Sequence, residues 1–341
     1  MKCINTTDAV GHVLCHDITR IVKDVVKDTA FRKGHIVTEE DIPVLLSLGK
    51  DHLYVWEKDE NTLHENEAAE ILCAVCRNEN MHPTDVKEGK IELVADCDGL
   101  FRVDVPRLDA INEIDEIMIA TRHSNTPVKK GDRLLGTRVI PLVIAKEKLE
   151  RVKEAAGSEP LVSLTPYKPM KAGIVTTGNE VYYGRIKDTF TPVIIDKLAS
   201  YGIEVSGHIL CDDNMEKITN AILQLKEEGA DLILCTGGMS VDPDDQTPGA
   251  IKQTGARIVS YGAPVLPGAM FLLAYLEDGT PIMGLPGCVM YAKATVFDLV
   301  LPRIAAGVEV TKKDLAHMGN GGFCLGCKTC HYPNCGFGKG V

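Results

Sequence analysis

Three glycine-bearing turns recur in one stretch of this 341-residue chain, and each follows an apolar, strand-like run and precedes a helix-like run. They are Val175-Thr176-Thr177-Gly178-Asn179-Glu180, Leu234-Cys235-Thr236-Gly237-Gly238-Met239-Ser240 and Gly284-Leu285-Pro286-Gly287-Cys288. In an open α/β sheet, ligands bind outside the carboxyl ends of the strands, where such turns gather. One turn of this kind says little. Three of them, with Asp212, Asp213, Asp242, Asp244 and Asp245 nearby, point to a single pocket for a polar, phosphate-bearing small molecule.

The flanking pattern supports this reading. Residues 172–176 have the composition of a buried strand. Thr191-Pro192 reads as an N-cap with proline at the first helical position, in a helix closed by Gly202. Residues 203–210 form a strand pattern. Asn214 can cap a helix with Ile218, Ile222 and Leu225 on one face, ended by Gly229. Residues 231–235 read as a short strand, and Thr247-Pro248 as the start of a short helix. Residues 271–276 and 281–284 flank the hairpin signal Glu277-Asp278-Gly279-Thr280, and residues 289–306 read as one long final helix. This β-α-β order predicts an α/β fold: a three-layer αβα domain with a mainly parallel sheet over residues 166–312.

Smaller mixed α+β segments precede that domain. Residues 1–57 carry a turn at Arg32-Lys33-Gly34-His35, a short helix closed by Gly49 and a strand over 51–56. Residues 58–165 carry a helix over 65–78, strands over 91–95, 101–105 and 139–145, and a helix over 146–156. The proline-rich stretch 158–169 marks the boundary, and residues 313–341 form a cysteine-rich tail.

Composition excludes several classes. The formal net charge is −11 and aromatic residues make up 5%, so neither a phosphate-binding basic surface nor a base-stacking platform is expected, and no nucleic-acid partner. The first twenty residues lack a basic segment followed by a long apolar one, and no apolar stretch reaches the length that spans a bilayer, so a cytoplasmic protein without a membrane partner is expected. In that compartment twelve cysteines point to metal or redox chemistry more than to disulfides.

The candidate chemistry centres on the second turn. Gly237 and Gly238 let backbone approach a ligand, their N–H groups can hold an anion, and Ser240 adds a hydroxyl. Asp245, with Asp242 and Asp244, and Asp213, with Asp212, supply the hard oxygens that Mg²⁺ uses to bridge to a phosphate. Single aspartates more often cap helices and form turns. Glu180, after Thr177-Gly178-Asn179, can accept hydrogen bonds from a heterocycle or help hold the cation, and is equally a capping-box glutamate. There is no Gly-x4-Gly-Lys-[Ser/Thr] loop and no Gly-x-Ser-x-Gly elbow.

These residues resemble, in order and spacing over 171–310, the molybdopterin-binding domain shared by molybdopterin adenylyltransferases and molybdopterin molybdenumtransferases. The matching positions are Thr176-Thr177-Gly178-Asn179-Glu180, Asp212-Asp213, Thr236-Gly237-Gly238-Met239-Ser240 with Asp245, Pro267-Gly268 and Gly284-Leu285-Pro286-Gly287. Residues 8–56 resemble more weakly the segment that precedes the domain in the molybdenumtransferases. The resemblance implies molybdopterin as ligand, with Thr177, Gly178, Asn179, Glu180, Gly237, Gly238, Ser240, Pro267, Gly268, Leu285, Pro286 and Gly287 around it. It implies Asp213 and Asp245 for Mg²⁺ and phosphate or adenylate, Glu180 toward the pterin ring, and self-association. Cys288-Val289 stand where the family's insertase has Asn-Pro, and no Met-Asp-Gly-Tyr-Ala segment is present.

The tail carries Cys324-x2-Cys327-x2-Cys330-His331-x3-Cys335. Thiolates at this spacing suit tetrahedral Zn²⁺ or an iron–sulfur cluster, and a tail with few apolar residues is expected to need a metal in order to fold. Three weaker candidates remain. Cys73 and Cys76 read as buried structural thiols, the Arg122-His123 loop as a solvated patch or an anion contact, and Cys288 as a small buried residue or a thiol near a metal. Two functional readings follow. One is a transferase-like protein of molybdenum cofactor biosynthesis that inserts molybdate into (adenylylated) molybdopterin. The other is a non-catalytic carrier or sensor of the cofactor, its tail a metal or redox switch or a dock for a molybdoenzyme. Hydrolysis of a nucleotide pyrophosphate is a third class.

Overall fold

The computed structural model describes residues 2–22, 26–55, 61–240, 242 and 245–340. Asp244, residue 56 of the expected strand 51–56, and the expected junction at 57 and 58 lie outside them. The chain divides into two compact units. Unit 1 comprises Met1–Cys97, Val103–Arg122 and Lys130–Leu164; unit 2 comprises Asp98–Arg102, His123–Lys129 and Thr165–Val341. The tail therefore belongs to unit 2.

Unit 1 begins with strand Lys2–Asn5 paired antiparallel to His52–Val55, and a ribbon of Ile18–Val22 with Val26–Phe31. A small core of Leu14, Ile18, Val37, Leu45 and Leu53 holds this part together. The turn at 32–35 is present, with His35 N–H donating to Arg32 O at 3.1 Å. An antiparallel sheet follows, in the order Met81–Pro83, Lys90–Ala95, Arg133–Val139, Ile117–Thr121. Helix Glu65–Cys76 is capped by His64, whose ring accepts from Asn66 N–H. Cys73 and Cys76 are both buried, and burial pushes the Cys76 thiol up to about 12, so they are packing residues. The expected strand 139–145 is instead two: Arg133–Val139 in the sheet, and Val143–Ala145 paired to Thr62–His64. The break follows Ile140-Pro141, because proline lacks the donor a ladder needs.

Unit 2 is the three-layer αβα domain. The strands of its six-stranded sheet are β1 (Met170–Thr177), β2 (Ile203–Cys211), β3 (Leu232–Thr236), β4 (Arg257–Tyr261), β5 (Leu272–Tyr275) and β6 (Pro281–Leu285), in the order β2-β1-β3-β6-β5-β4. The first four in that order are parallel, and β5 runs antiparallel to both its neighbours. β3 is buried along its whole length, which is why its sequence is apolar from Leu232 to Cys235. Helices α1 (Asn179–Tyr182), α2 (Phe190–Ala199), α3 (Met215–Glu227), α4 (Thr247–Gln253), α5 (Val296–Ala305) and α6 (Lys312–His317) connect them. One face of the sheet, through Ala172, Ile174, Leu232 and Leu234, packs on Ile194 and Leu198 of α2 and Phe297, Val300 and Ile304 of α5. The other face, through Val175, Ile233 and Cys235, packs on Ile218, Ile222 and Leu225 of α3 and Ala250 and Ile251 of α4.

Two helix starts differ from expectation. α2 begins at Phe190, and its free N–H groups are met by Asp188, whose Oδ1 accepts from Phe190 N at 2.9 Å and Thr191 N at 3.0 Å. Asp188 caps this helix, and Thr191 lies inside it. The expected helix 289–306 is a short 3-10 turn, Gly287–Met290, followed by α5. A capping box between Thr295 and Asp298 sets the start of α5. Asn214 caps α3 as expected, accepting from Lys217 N at 3.0 Å.

The tail is seated on unit 2 by packing and by backbone hydrogen bonds. Phe337 is buried in the α5-side core, Tyr332, Cys324 and Cys335 pack against it, and Tyr332 Oη donates to Asp298 O at 2.6 Å. Leu266 N donates to Gly322 O and Cys324 N donates to Leu266 O, both at 2.8 Å, so the tail adds a short parallel bridge to the loop before β5. Besides the thiols on which the metal expectation rests, two aromatic anchors and backbone pairing hold the tail.

Candidate functional site

Because β1, β2, β3 and β6 are parallel neighbours, their carboxyl ends lie along one edge, and the turns that follow them face one another. The contacts bear this out. Asn179 N donates to Asp213 Oδ2 at 2.9 Å, joining the turn after β1 to the turn after β2. Thr177 Oγ1 lies 3.2 Å from Thr247 Oγ1, which donates to Gly237 O at 2.8 Å, joining β1 to the double-glycine turn after β3. Leu285 pairs with Thr236, placing Pro286-Gly287 beside that turn. β4 is parallel to this set by way of β5, so the loop holding Pro267-Gly268 leaves the same edge. There it contacts the start of α5, with Val296 N donating to Pro267 O at 3.4 Å.

The double glycine is required by conformation and by space. Gly237 and Gly238 have φ of 82° and 55°, a region that favours glycine. A Cβ on Gly237 would lie 2.2 Å from Thr177 O, and one on Gly238 2.8 Å from Thr247 Oγ1. Gly287 differs: it is exposed, and nothing lies within 4 Å of a built Cβ, so the fold itself does not demand glycine there.

The carboxylates surround this edge. Burial raises the Asp213 pKa above the ordinary aspartate value. The Asn179 N–H works against that rise, while the negative charges of Glu180, Asp245 and Asp212 add to it. Asp245 Oδ2 accepts from Ser240 N at 2.9 Å, closing the loop after the double glycine. Lys217 pairs with Asp212 Oδ2 at 2.7 Å, and Asp212 Oδ1 is buried without a hydrogen-bond partner among the described residues. Glu180 is exposed at the start of α1. Tyr261 Oη donates to Met239 O at 3.0 Å and, less closely, to Ser240 O at 3.2 Å, bracing the same loop from β4. Thr177, Gly178, Asn179, Glu180, Asp213, Gly237, Gly238, Ser240, Asp245, Leu285, Pro286 and Gly287 are thus brought to one edge, with the Pro267-Gly268 loop leaving it as well.

Metal geometry is a separate matter. Among the described residues no three His, Cys, Asp or Glu side chains are gathered closely enough to hold an ion. The four tail cysteines are accordingly not assembled: Cys324 and Cys335 are half-buried, and Cys327 and Cys330 are exposed. The donors around Asp213 still suit Mg²⁺, which commonly takes one or two carboxylates and completes its shell with substrate phosphate and water. Cys288, beside the third turn, is half-buried, and burial raises its thiol pKa. Arg122 is tied to Asp132 at 3.4 Å and to Arg133 O at 2.6 Å within unit 1. No helix among the described residues is long and apolar enough to cross a membrane.

Two residues of this edge escaped the sequence reading. Thr247-Pro248 reads as a helix start, yet the Thr247 hydroxyl donates to Gly237 O. His208 looks like an outward-facing polar residue of an edge strand, yet its Nε2 lies 3.0 Å from Thr176 Oγ1.

Part of the chain is similar to known proteins. Residues 173–306 match the family described as a probable molybdopterin binding domain, and residues 3–57 match a domain of unknown function. A CinA-like protein of Mycolicibacterium gilvum is 32% identical over 158 residues, covering 39% of this chain and 37% of that protein. A CinA-like protein of Mycobacterium avium is 39% identical over 95 residues, covering 28% of this chain and 22% of that protein. The match thus spans well under half the length of these curated relatives. Among solved structures, the molybdopterin biosynthesis enzyme MoaB of Thermus thermophilus aligns at 25% identity and a TM-score of 0.34, over 40% of this chain and 97% of that one. The tungsten cofactor synthesizing protein MoaB of Pyrococcus furiosus aligns at 20% identity and a TM-score of 0.33, over 40% and 92%. The residues matched by the probable molybdopterin binding domain, 173–306, include the turns that meet at the sheet edge of unit 2.

Proposed function

We propose that unit 2 binds molybdopterin, or its adenylylated form, across the carboxyl ends of β1, β2, β3 and β6, and acts in molybdenum cofactor biosynthesis. The observation that carries this reading is the joining of three turns by Asn179–Asp213 and by Thr177–Thr247–Gly237. The N–H groups of Gly237 and Gly238, with Ser240, face the phosphate; Thr177, Gly178, Asn179 and Glu180 face the pterin; Pro267, Gly268, Leu285, Pro286 and Gly287 form the remaining wall. Glycine at 287, which packing does not require, leaves backbone there open to close ligand approach.

Asp213 and Asp245 hold Mg²⁺ in this reading, together with ligand phosphate. The ion supplies charge neutralisation at the phosphate. Asp213 and Asp245 each use Oδ2 on a backbone N–H, and among the described residues no hydrogen-bond partner to Oδ1 is found, which leaves that oxygen for the ion. In its full form the reading is molybdate insertion, with Gly237 and Gly238 N–H groups holding developing oxyanions. The assay is release of AMP from adenylylated molybdopterin, dependent on molybdate and Mg²⁺. Release that is unchanged in Asp245→Asn removes Asp245 from the mechanism.

The carrier or sensor reading has its own support. Cys288-Val289 follow the third turn, and the tail pairs with Leu266, the residue before Pro267. Stoichiometric molybdopterin binding without turnover selects it.

A further inference from the structure

Beneath the two turns lies a hydrogen-bonded chain that no motif in the sequence marks. Thr236 Oγ1 donates to Thr176 Oγ1 at 3.3 Å; Thr176 Oγ1 lies 3.0 Å from Thr191 Oγ1 and 3.0 Å from His208 Nε2; Thr191 Oγ1 donates to Asp188 Oδ2 at 2.5 Å. The three threonines are buried, at 3%, 6% and 0% exposure for Thr176, Thr191 and Thr236. Buried hydroxyls must be satisfied, and each has one hydrogen to give. Asp188 is held ionised: burial opposes its charge, but the Thr191 hydroxyl, the N–H groups of Thr191 and Phe190, and His208 outweigh burial.

Donor counting then fixes the order. Thr191 gives its hydrogen to Asp188, so toward Thr176 at 3.0 Å, and toward His208 Nε2 at a longer 3.5 Å, it can only accept. Thr176 spends its one hydrogen there, so its oxygen must accept from both Thr236 and His208. We infer that His208 carries hydrogen on Nε2 and is a positioning residue for the candidate site. It heads a chain of donors, His208 to Thr176 to Thr191 to Asp188, that pins the residues directly before Gly178 and Gly237. Thr176 immediately precedes Thr177-Gly178, and Thr236 immediately precedes Gly237. Thr177, on the opposite face of the sheet, ties the same two turns through Thr247. The turns are clamped from both sides, so their N–H groups are aimed before a ligand arrives. The far end of the chain, Asp188, also anchors the start of α2 and with it the segment that follows α1.

The consequence for ligand affinity rests on the molybdopterin reading above, but the clamp itself does not, and the test separates them. Amide hydrogen exchange is followed in the full-length free protein over residues 174–182 and 234–240. His208→Leu removes the donor, while His208→Gln returns an amide N–H close to the position of Nε2. We expect exchange in both turns to rise at least about fivefold in His208→Leu and to return to within about twofold of the parent in His208→Gln, as loss of one buried donor implies. Helix α3 serves as the internal control for global destabilisation. Thr191→Val, of similar shape, carries the same test if His208→Leu does not fold, with the same rise expected. Exchange unchanged in the Leu variant, or raised equally in the Gln variant, overturns the proposal. Molybdopterin affinity should follow the same pattern, weakened in the Leu variant and restored by Gln. A parent protein that binds no molybdopterin defeats the functional reading and leaves the exchange result standing on its own.

Discussion

Asn179 and Asp213 meet across two turns: the backbone N–H of Asn179 donates to Asp213 Oδ2 at 2.9 Å, and the Asp213 N–H returns to Asn179 Oδ1 at 3.5 Å. The carboxylate so held is half-buried and sits in the field of Glu180, Asp245 and Asp212. It is pre-aimed by Asn179, and burial with the neighbouring negative charges raises its pKa.

Asp213→Asn keeps the bond to Asn179 and removes the crowded charge. Because the folded-state pKa is raised, the stability that Asp213 contributes is present at low pH and lost as pH rises through the elevated value. The Asn variant should therefore have a higher Tm than the parent at neutral pH, and the two should converge as pH falls below the carboxylate range. Mg²⁺-dependent ligand binding should be lost. Thermal melts across pH 3 to 8 check the sign: a variant less stable at neutral pH contradicts the assignment.

Gly237→Ala places a methyl 2.2 Å from Thr177 O at a φ of 82°. Strain and clash together should cost at least about 2 kcal/mol in urea unfolding. Gly287→Ala meets open space and should be within about 0.5 kcal/mol of the parent, and a loss of ligand affinity there would report close ligand approach.

Much of this architecture is legible in the chain, for identifiable reasons. The short apolar run of 232–235, bounded by Gly229 and the double glycine, suits a strand buried on both faces, and Asn214 is a cap whose side chain finds the Lys217 N–H. The double-glycine turn is legible in composition, since residues 237 and 238 combine a positive φ that favours glycine with no room for a Cβ. What stayed hidden depends on tertiary partners. The start of α5 was signalled by Thr295 and Asp298, but the apolar run through Val289 masked it. Asp188 outcompetes Thr191 as cap because it reaches two N–H groups at once. The role of His208 depends on which strand lies beside it, and alternation along an edge strand does not show that. The tail was read from its thiols, while the residues that seat it are Tyr332 and Phe337.

The tail supplies a direct contrast. Phe337→Ala removes a buried aromatic anchor and should cost about 3 kcal/mol. Replacing Cys324, Cys327, Cys330 and Cys335 together by serine should cost less, because two of the four thiols are exposed. Urea unfolding of both variants checks this; a larger loss in the serine variant would show that the thiols, by a bound metal or otherwise, hold the tail.

Thr247→Val removes the hydroxyl that reaches both Thr177 and Gly237. It should destabilise the protein by about 1–2 kcal/mol and weaken phosphate-bearing ligands more than it weakens the fold. Parallel measurement of unfolding and of ligand Kd separates the two effects.

The central claim is tested most directly by calorimetric titration of the full-length protein with molybdopterin in the presence and absence of Mg²⁺, beside Asp245→Asn. The account predicts one site in unit 2, tighter with Mg²⁺, and loss of that Mg²⁺ enhancement in the variant. No binding by the parent, or binding indifferent both to Mg²⁺ and to Asp245, contradicts it.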